Sequence, residues 1–219
     1  MATPAKRTVE FFYDVISPYS WIAFEQICKY RGRWGIDLKF KPFLLGGVFK
    51  ASGNDTPSTN SQKLKYIVLD MNRLAKFYKV PFQNPPNMME MIMKGTLSAQ
   101  RFIVAASMDL HDKATENISR QLWMRLWSKN QDATTPESLF EAARLAGVDE
   151  NQAKKLLTRM KDSDVKDGLK QNTERALKNG AFGSPTILVH IDGKSHMFFG
   201  SDRFHIIAHI MGVKYEGPL

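Results

Sequence analysis

The sequence predicts an α/β protein in which a long all-helical segment interrupts a small sheet. Two observations indicate this class. Alternating and β-branched apolar residues, which are typical of strands, occur near the two ends of the chain, at residues 8–42 and 186–199. From residue 62 to residue 179, apolar residues recur only at helical spacing. We therefore expect one domain built from residues 1–61 and 180–219, and an inserted helical domain of residues 62–179, called the helical insertion below.

The N-terminal part of the chain predicts a β-α-β unit. Thr8–Asp14 is aromatic and β-branched enough for a buried strand, and a helix is expected from Pro18 to about Tyr30, with Gly32 as its stop. Apolar and charged residues alternate over residues 36–42, which predicts a second strand ended by proline. Two glycines and a polar run then predict a long loop over residues 46–61, of the kind that often covers a binding site.

Helical spacing and capping boxes divide the helical insertion. Asn87 with Glu90, Thr134 with Glu137, and Asp149 with Gln152 each have the spacing of a capping box. The later helices are expected at residues 97–110, 113–128, 136–146, 150–161 and 164–178.

After the helical insertion, strand periodicity returns. Thr186–Ile191 and Ser195–Phe199 predict a hairpin around Asp192-Gly193, and a helix is expected from Ser201 to Met211. A β-α-β unit, an insertion and a β-β-α unit follow each other in the order of thioredoxin-like proteins.

The junction at Ser17-Pro18 is the first candidate site. Ser17 can cap the helix, and Pro18 suits its first position because the missing N–H has no helical partner there. The helix N-terminus favours an anion such as a thiolate. Ser17-Pro18-Tyr19-Ser20 also has the spacing of a Cys-Pro-x-Cys redox turn, with oxygen in place of each sulfur. A hydroxyl can hydrogen bond to the thiolate of a small molecule, but on this stretch alone an ordinary helix cap is the better explanation.

Two further stretches lie where a thioredoxin-like fold binds peptides. Ser184-Pro185 precedes the third strand, so we expect a cis peptide bond there and main-chain pairing by Ser184. Ser201 and Asp202 begin the last predicted helix, where free N–H groups suit a carboxylate and the aspartate suits an ammonium group. A thiol site, a peptide-pairing loop and an amino-acid site together indicate glutathione.

Composition excludes several other classes. The chain has 219 residues, 43% of them hydrophobic, and one cysteine, Cys28, which we expect in the core. A single cysteine excludes an internal disulfide, and the five histidines lack metal-site spacing, so we expect no metal. The net charge of +9 is spread over mixed helical surfaces, which does not favour nucleic-acid binding. No apolar run is long enough for a membrane span, so we expect a soluble intracellular protein.

The sequence resembles kappa-class glutathione transferases over essentially its whole length. The motifs that carry this resemblance are Phe12-Tyr13-Asp14-Val15, Ser17-Pro18-Tyr19-Ser20-Trp21, Ser52-Gly53-Asn54, Gly95-Thr96-Leu97-Ser98-Ala99, Leu122-Trp123-Met124-Arg125, Gly180-Ala181-Phe182-Gly183 and Phe199-Gly200-Ser201-Asp202-Arg203.

The resemblance implies a DsbA-like thioredoxin domain with a helical insertion, in a homodimer. It implies glutathione conjugation to small electrophiles such as aryl halides, peroxide reduction as a second activity, and no cofactor besides glutathione as co-substrate. Ser17 would be the catalytic hydroxyl, and Pro18 and Tyr19 would line the thiol with it. The rest of glutathione would be bound by Asn54, Ser184, Ser201 and Asp202.

Two departures from the family pattern bear on these expectations. The residue before the proline is usually a larger aliphatic one, and here it is Ser184. The final residues Gly217-Pro218-Leu219 lack a clear peroxisomal signal, which leaves the mitochondrial matrix as the location implied by the family. Two other functions stay open: a glutathione-dependent 2-hydroxychromene-2-carboxylate isomerase, which shares the fold and the Ser-Pro-Tyr turn, and a non-catalytic thioredoxin-like binding protein.

Overall fold

The computed structural model describes residues 7–56 and 59–219, so Pro57 and Ser58 of the predicted loop lie outside it. The strands and helices are β1 (Arg7–Tyr13), α1 (Pro18–Trp34), β2 (Ile36–Pro42), α2 (Leu45–Ser52), α3 (Ser61–Tyr78), α4 (Met88–Lys94), α5 (Leu97–Asp109), α6 (Asp112–Trp127), α7 (Pro136–Leu145), α8 (Glu150–Arg159), α9 (Ser163–Lys178), β3 (Thr186–Ile191), β4 (Lys194–Phe199) and α10 (Phe204–Met211).

The four strands form one mixed sheet in the order β2-β1-β3-β4. β1 pairs in parallel with β2, because α1 carries the chain back across the sheet between them. β3 pairs antiparallel with both β1 and β4, and the β3–β4 hairpin turns at the predicted Asp192-Gly193. The predicted β-α-β and β-β-α units are confirmed, and β1 lies at the centre of the sheet.

Side chains of β1 enter two cores on opposite faces of the sheet. Val9, Phe11 and Tyr13 are fully buried in a large core that also contains apolar side chains of α1, α5 and α6. Phe12 faces a smaller core formed with α2 and α9. Because residues of the helical insertion fill both cores, the insertion packs directly on the sheet that holds the Ser17 turn. The division into two domains stays a prediction.

Two predicted boundaries in the first unit were wrong. α1 continues past Gly32 to Trp34 and ends at Gly35, whose φ of 60° is the left-handed conformation that favours glycine. Residues 46–52, expected in a loop, belong to α2, which forms although it contains two glycines. Leu45 and Val48 are buried in the smaller core, and this tertiary packing outweighs the low helix propensity of glycine.

Side-chain caps agree with the sequence in part. Asp149 caps α8 by accepting from the N–H groups of Asn151 and Gln152, as predicted. The cap of α7 is Thr135 rather than Thr134, and Asn87 makes no side-chain cap to α4.

The last helix was also predicted too long. α10 begins at Phe204, and Arg203 precedes it without a side-chain cap, so Ser201 is not a helix cap. Over residues 7–56 and 59–219, no helix has the length and apolarity needed to cross a membrane.

Candidate active site

Ser17 lies at the start of α1, where its hydroxyl has two hydrogen bonds. Its Oγ accepts from the backbone N–H of Ser20 at 3.2 Å, which makes Ser17 the predicted N-cap, and Pro18 occupies the first turn. The same Oγ donates to the backbone carbonyl of Ser184 at 3.2 Å. The hydroxyl is therefore fixed between the helix N-terminus and the loop that precedes β3.

The Ser184-Pro185 peptide bond is cis, as the sequence predicted. The Ser184 Oγ lies 2.6 Å from the Ser20 Oγ and accepts from the Asp14 N–H at 3.3 Å. Thus the hydroxyl of Ser184 is engaged within the protein. Its carbonyl contacts Ser17 directly, which brings the two loops of the predicted site together.

A cavity of about 1230 Å³ lies beside Ser17 and Ser184. Predicted site residues that line it are Ser17, Pro18, Tyr19, Asn54 and Ser184. Ser201 and Asp202 are not among its lining residues; Ser201 is buried, and Asp202 is exposed beside Arg203. Their assignment to glutathione stays a prediction.

Tyr19 and Asn54 connect separate walls of the cavity. The half-buried Tyr19 hydroxyl donates to Asp70 of α3 at 2.8 Å, and burial together with this carboxylate raises the pKa of the tyrosine. The Asn54 amide donates to the backbone carbonyl of Phe182 at 2.8 Å. The Asn54 contact joins the segment after α2 to the loop before β3.

The loop before β3 passes close to β4 at the edge of the cavity. A Cβ at Gly183 would lie 2.7 Å from the ring of Phe199, so glycine allows this approach. Gly183 and Phe199 both line the cavity, and the ring centroids of Phe182 and Phe199 lie 4.5 Å apart.

Asp14 is a buried carboxylate at the base of the cavity. It accepts from Thr96 Oγ1 at 2.6 Å, from the Ile16 N–H at 3.1 Å and from the Leu45 N–H at 3.0 Å. Burial raises its pKa, although these three hydrogen bonds oppose the shift. Asp14 therefore joins the Ser17 turn to the starts of α2 and α5.

Sequence reasoning missed much of the cavity wall. Lys50 of α2 and Lys63 of α3 both line the cavity and supply positive charge. Neither has a distinctive sequence pattern, because single lysines on helices occur throughout this basic chain. Apolar side chains of α2, α3 and α4 also line the cavity, among them Phe49, Leu64, Tyr66, Ile67, Met88 and Ile92.

Cys28 does not contribute to this site. It is partly buried against the main core, and burial raises the pKa of its thiol to about 12, so it is not a thiolate at neutral pH. A sulfur nucleophile at Ser17 must therefore come from a bound molecule.

Comparison with known proteins identifies the fold and the family of the chain. The chain matches the DSBA-like thioredoxin domain family over residues 8–212. It is 44% identical over 217 residues to human glutathione S-transferase kappa 1, covering 99% of this chain and 96% of the human protein. It is 24% identical over 210 residues to the 2-hydroxychromene-2-carboxylate isomerase of Sphingobium xenophagum, covering 92% of this chain and 96% of that one. A solved 2-hydroxychromene-2-carboxylate isomerase structure has a TM-score of 0.74 at 21% identity, with 94% of each chain covered.

The fold and the Ser17 site define a protein of the DsbA-like thioredoxin class in which serines occupy the redox-turn positions. With 44% identity over nearly the whole chain to human glutathione S-transferase kappa 1, the chain belongs to the kappa-class glutathione S-transferase family. The likeness to the solved isomerase structure supports the fold alone.

Proposed function

We propose that this protein conjugates the thiolate of glutathione to small electrophiles such as aryl halides. The observation that carries the proposal is the Ser17 hydroxyl at the start of α1, beside the Ser184 carbonyl and on the wall of a large cavity. Family membership supports glutathione as the thiol. The apolar wall formed by α3 and α4 suits an aromatic electrophile.

The Ser17 hydroxyl acts as a hydrogen-bond donor to the thiolate. An O–H group rotates about its C–O bond, so it can turn from the Ser184 carbonyl to a thiolate while Oγ still accepts from the Ser20 N–H. The Ser184 carbonyl is then available to the N–H of the central cysteine of glutathione. In this way glutathione replaces a contact that already exists in the protein.

Typical free energies of such hydrogen bonds are large enough for this donor to lower the pKa of the glutathione thiol. A free cysteine thiol has a pKa of about 8.5, and lowering it by about two units requires roughly 2.7 kcal/mol. A hydrogen bond to a charged group contributes about 1.5–3 kcal/mol, and a helix N-terminus adds about 0.3–1 kcal/mol. The thiol proton leaves to solvent, the thiolate sulfur bonds to the aryl carbon, and halide departs with the bonding electrons.

The other ends of glutathione have partners of suitable charge. Lys50 and Lys63 offer positive charge to its carboxylates, and Asn54 can bind its main chain. Asp202 is proposed as the partner of the α-ammonium group. Asp202 does not line the cavity, but it follows the cavity residue Phe199 by only three positions in the sequence.

The proposal is tested with the purified full chain, glutathione and chlorodinitrobenzene. We expect conjugation that saturates in glutathione. A 2-hydroxychromene-2-carboxylate assay, motivated by the relative in Sphingobium xenophagum, tests the alternative. Isomerisation without conjugation would favour the isomerase, and failure to bind glutathione resin would favour a non-catalytic protein.

The resemblance also supports a homodimer. Exposed apolar side chains of α3, namely Tyr66, Leu69 and Phe77, offer a surface that a second copy of the chain can cover. Sedimentation should then give twice the 24.9 kDa chain mass.

A further inference from the structure

Side chains of the helical insertion hydrogen bond directly to the turn that carries Ser17. Gln100 of α5, which is fully buried, donates to the Tyr13 carbonyl at 2.8 Å and accepts from the Val15 N–H at 3.3 Å. Thr96, just before α5, donates to Asp14 at 2.6 Å. These contacts satisfy polar groups of three consecutive residues, 13–15.

Two indoles of α6 complete this set. Trp127 Nε1 donates to the Val15 carbonyl at 3.0 Å, and Trp123 Nε1 donates to the Ser17 carbonyl at 3.2 Å. Both side chains are buried, and their spacing of four residues places them on one face of α6. α6 thus provides two indole N–H donors, one for the Val15 carbonyl and one for the Ser17 carbonyl.

The Ser17 carbonyl accepts a shorter hydrogen bond from the Trp123 indole than from the N–H group of its own helix. Its helical partner, the N–H of Trp21, has its nitrogen 3.4 Å away, whereas N···O distances in protein hydrogen bonds cluster at about 2.9–3.0 Å. The Trp123 indole is therefore its closer donor. Since a peptide unit is planar, fixing the Ser17 carbonyl fixes the peptide plane that follows Ser17. Fixing the Val15 carbonyl fixes the plane between Val15 and Ile16, so the Trp127 bond acts on Ser17 through one intervening residue.

We propose that Trp123 and Trp127 are positioning residues for the Ser17 hydroxyl, acting through their indole bonds to the carbonyls of Ser17 and Val15. The proposal rests on the proposed function, in which this hydroxyl binds the glutathione thiolate. The helical insertion then does more than supply an apolar wall, because it sets the orientation of the thiolate donor.

The experiment replaces each indole by a ring without a donor, as Trp123→Phe and Trp127→Phe in the full chain. The pKa of bound glutathione is read from the ultraviolet absorbance of its thiolate, together with kcat and KM for conjugation. Misorientation of the donor should raise the thiol pKa by about half a unit and lower kcat by about 3- to 10-fold, with KM for glutathione changing less.

Trp34→Phe is the matched control. The Trp34 indole is also buried and also donates to a backbone carbonyl, that of Lys214 at 2.9 Å, but it lies at the far end of α1. Its loss should lower Tm and leave both the thiol pKa and kcat at wild-type values.

The possible results separate the two proposals. A wild-type protein that neither binds glutathione nor lowers its thiol pKa contradicts the proposed function. If the wild type does both, and the Trp123 and Trp127 variants match it or lose only Tm as Trp34→Phe does, the positioning proposal is overturned. Trp127→Phe decides the matter if Trp123→Phe fails to fold, because the Trp127 ring packs on Phe82, whereas the Trp123 ring packs on both Tyr13 and Phe24. Since Trp127 also lines the cavity, the thiol pKa rather than kcat is the deciding measurement for that variant.

Discussion

The Ser17 Oγ makes two hydrogen bonds, one that stabilises α1 and one that a ligand can displace. Acceptance from the Ser20 N–H caps α1, and donation to the Ser184 carbonyl is the bond that a thiolate would replace. A single substitution therefore changes both stability and chemistry.

Ser17→Ala should lower turnover in conjugation by about 10- to 100-fold, because about 2 kcal/mol of donation to the thiolate is lost. Loss of the cap should also cost about 1 kcal/mol of the free energy of unfolding. Steady-state kinetics and urea unfolding measure the two effects. Ser20→Ala is the control: Ser20 is buried and contacts Ser184, but it does not line the cavity, so this variant should keep its turnover. Equal turnover in both variants would remove Ser17 from the mechanism.

Asp202→Asn should weaken binding of glutathione and of S-methylglutathione to the same extent, because the proposed ammonium contact does not involve the thiol. We expect Kd for both ligands to rise about tenfold and kcat for conjugation to change less. Calorimetric titration with both ligands measures it.

The control for Asp202 is Arg203→Gln, which breaks the same exposed ion pair, 2.7 Å long, from the other side. It should leave both affinities unchanged. If Asp202→Asn behaves in the same way, residue 202 does not belong to the glutathione site.

Helix caps allow a comparison between two elements of the helical insertion. Asp149 caps α8 with bonds to two N–H groups, at 2.9 and 3.3 Å, while Asn87 makes no such bond before α4. Asp149→Ala should therefore cost about 1 kcal/mol of the free energy of unfolding, and Asn87→Ala should be near neutral. Both positions are exposed, so packing changes little in either variant. Equal losses in denaturant unfolding would show that sequence spacing predicts caps better than this geometry.

Local patterns predicted most elements, and distant contacts explain the failures. β1 and β3 were predicted within one residue of the observed strands, because apolar alternation and flanking turn residues are local. α2 was missed because its helical form depends on packing against α9 residues such as Ala176, more than a hundred positions away. The start of α10 was placed too early because Ser201-Asp202 has the composition of a cap without its geometry.

Across the whole molecule, an ion cluster joins β1, β3 and α9. Glu10 has an 8% exposed side chain and binds Arg175 at 2.7 Å and His190 at 2.9 Å. Burial raises the pKa of this carboxyl, but the hydrogen bonds from Arg175 and His190 outweigh burial and hold the pKa below 4.5. The stabilisation is therefore complete above pH 4.5 and is lost as the pH falls through the lower folded-state pKa.

Glu10→Gln should lower the free energy of unfolding by about 1–2 kcal/mol near pH 7, and the difference from wild type should shrink toward acid pH. Urea unfolding across this pH range measures it. Glu174→Gln, which breaks an exposed 3.7 Å pair with Lys170, should change little at any pH. A loss at Glu10 that is independent of pH would mean that its packing, rather than its charge, stabilises the fold.

The candidate site was predictable where one turn carries the chemistry. Ser17 and Ser184 were identified from their places beside predicted strands, and Asn54 was identified through the family resemblance; all three line the cavity. Lys63 and the indole of Trp127 reach the cavity only through tertiary packing of the helical insertion. No local pattern encodes that packing.

The pKa of the glutathione thiol in the complex tests the thiolate mechanism most directly. Titration of thiolate absorbance should give a midpoint about two units below the free value of ~8.5 in the wild type. In Ser17→Ala the midpoint should move most of the way back. A wild-type midpoint near the free value, or identical midpoints in the two proteins, would contradict the donor role of Ser17.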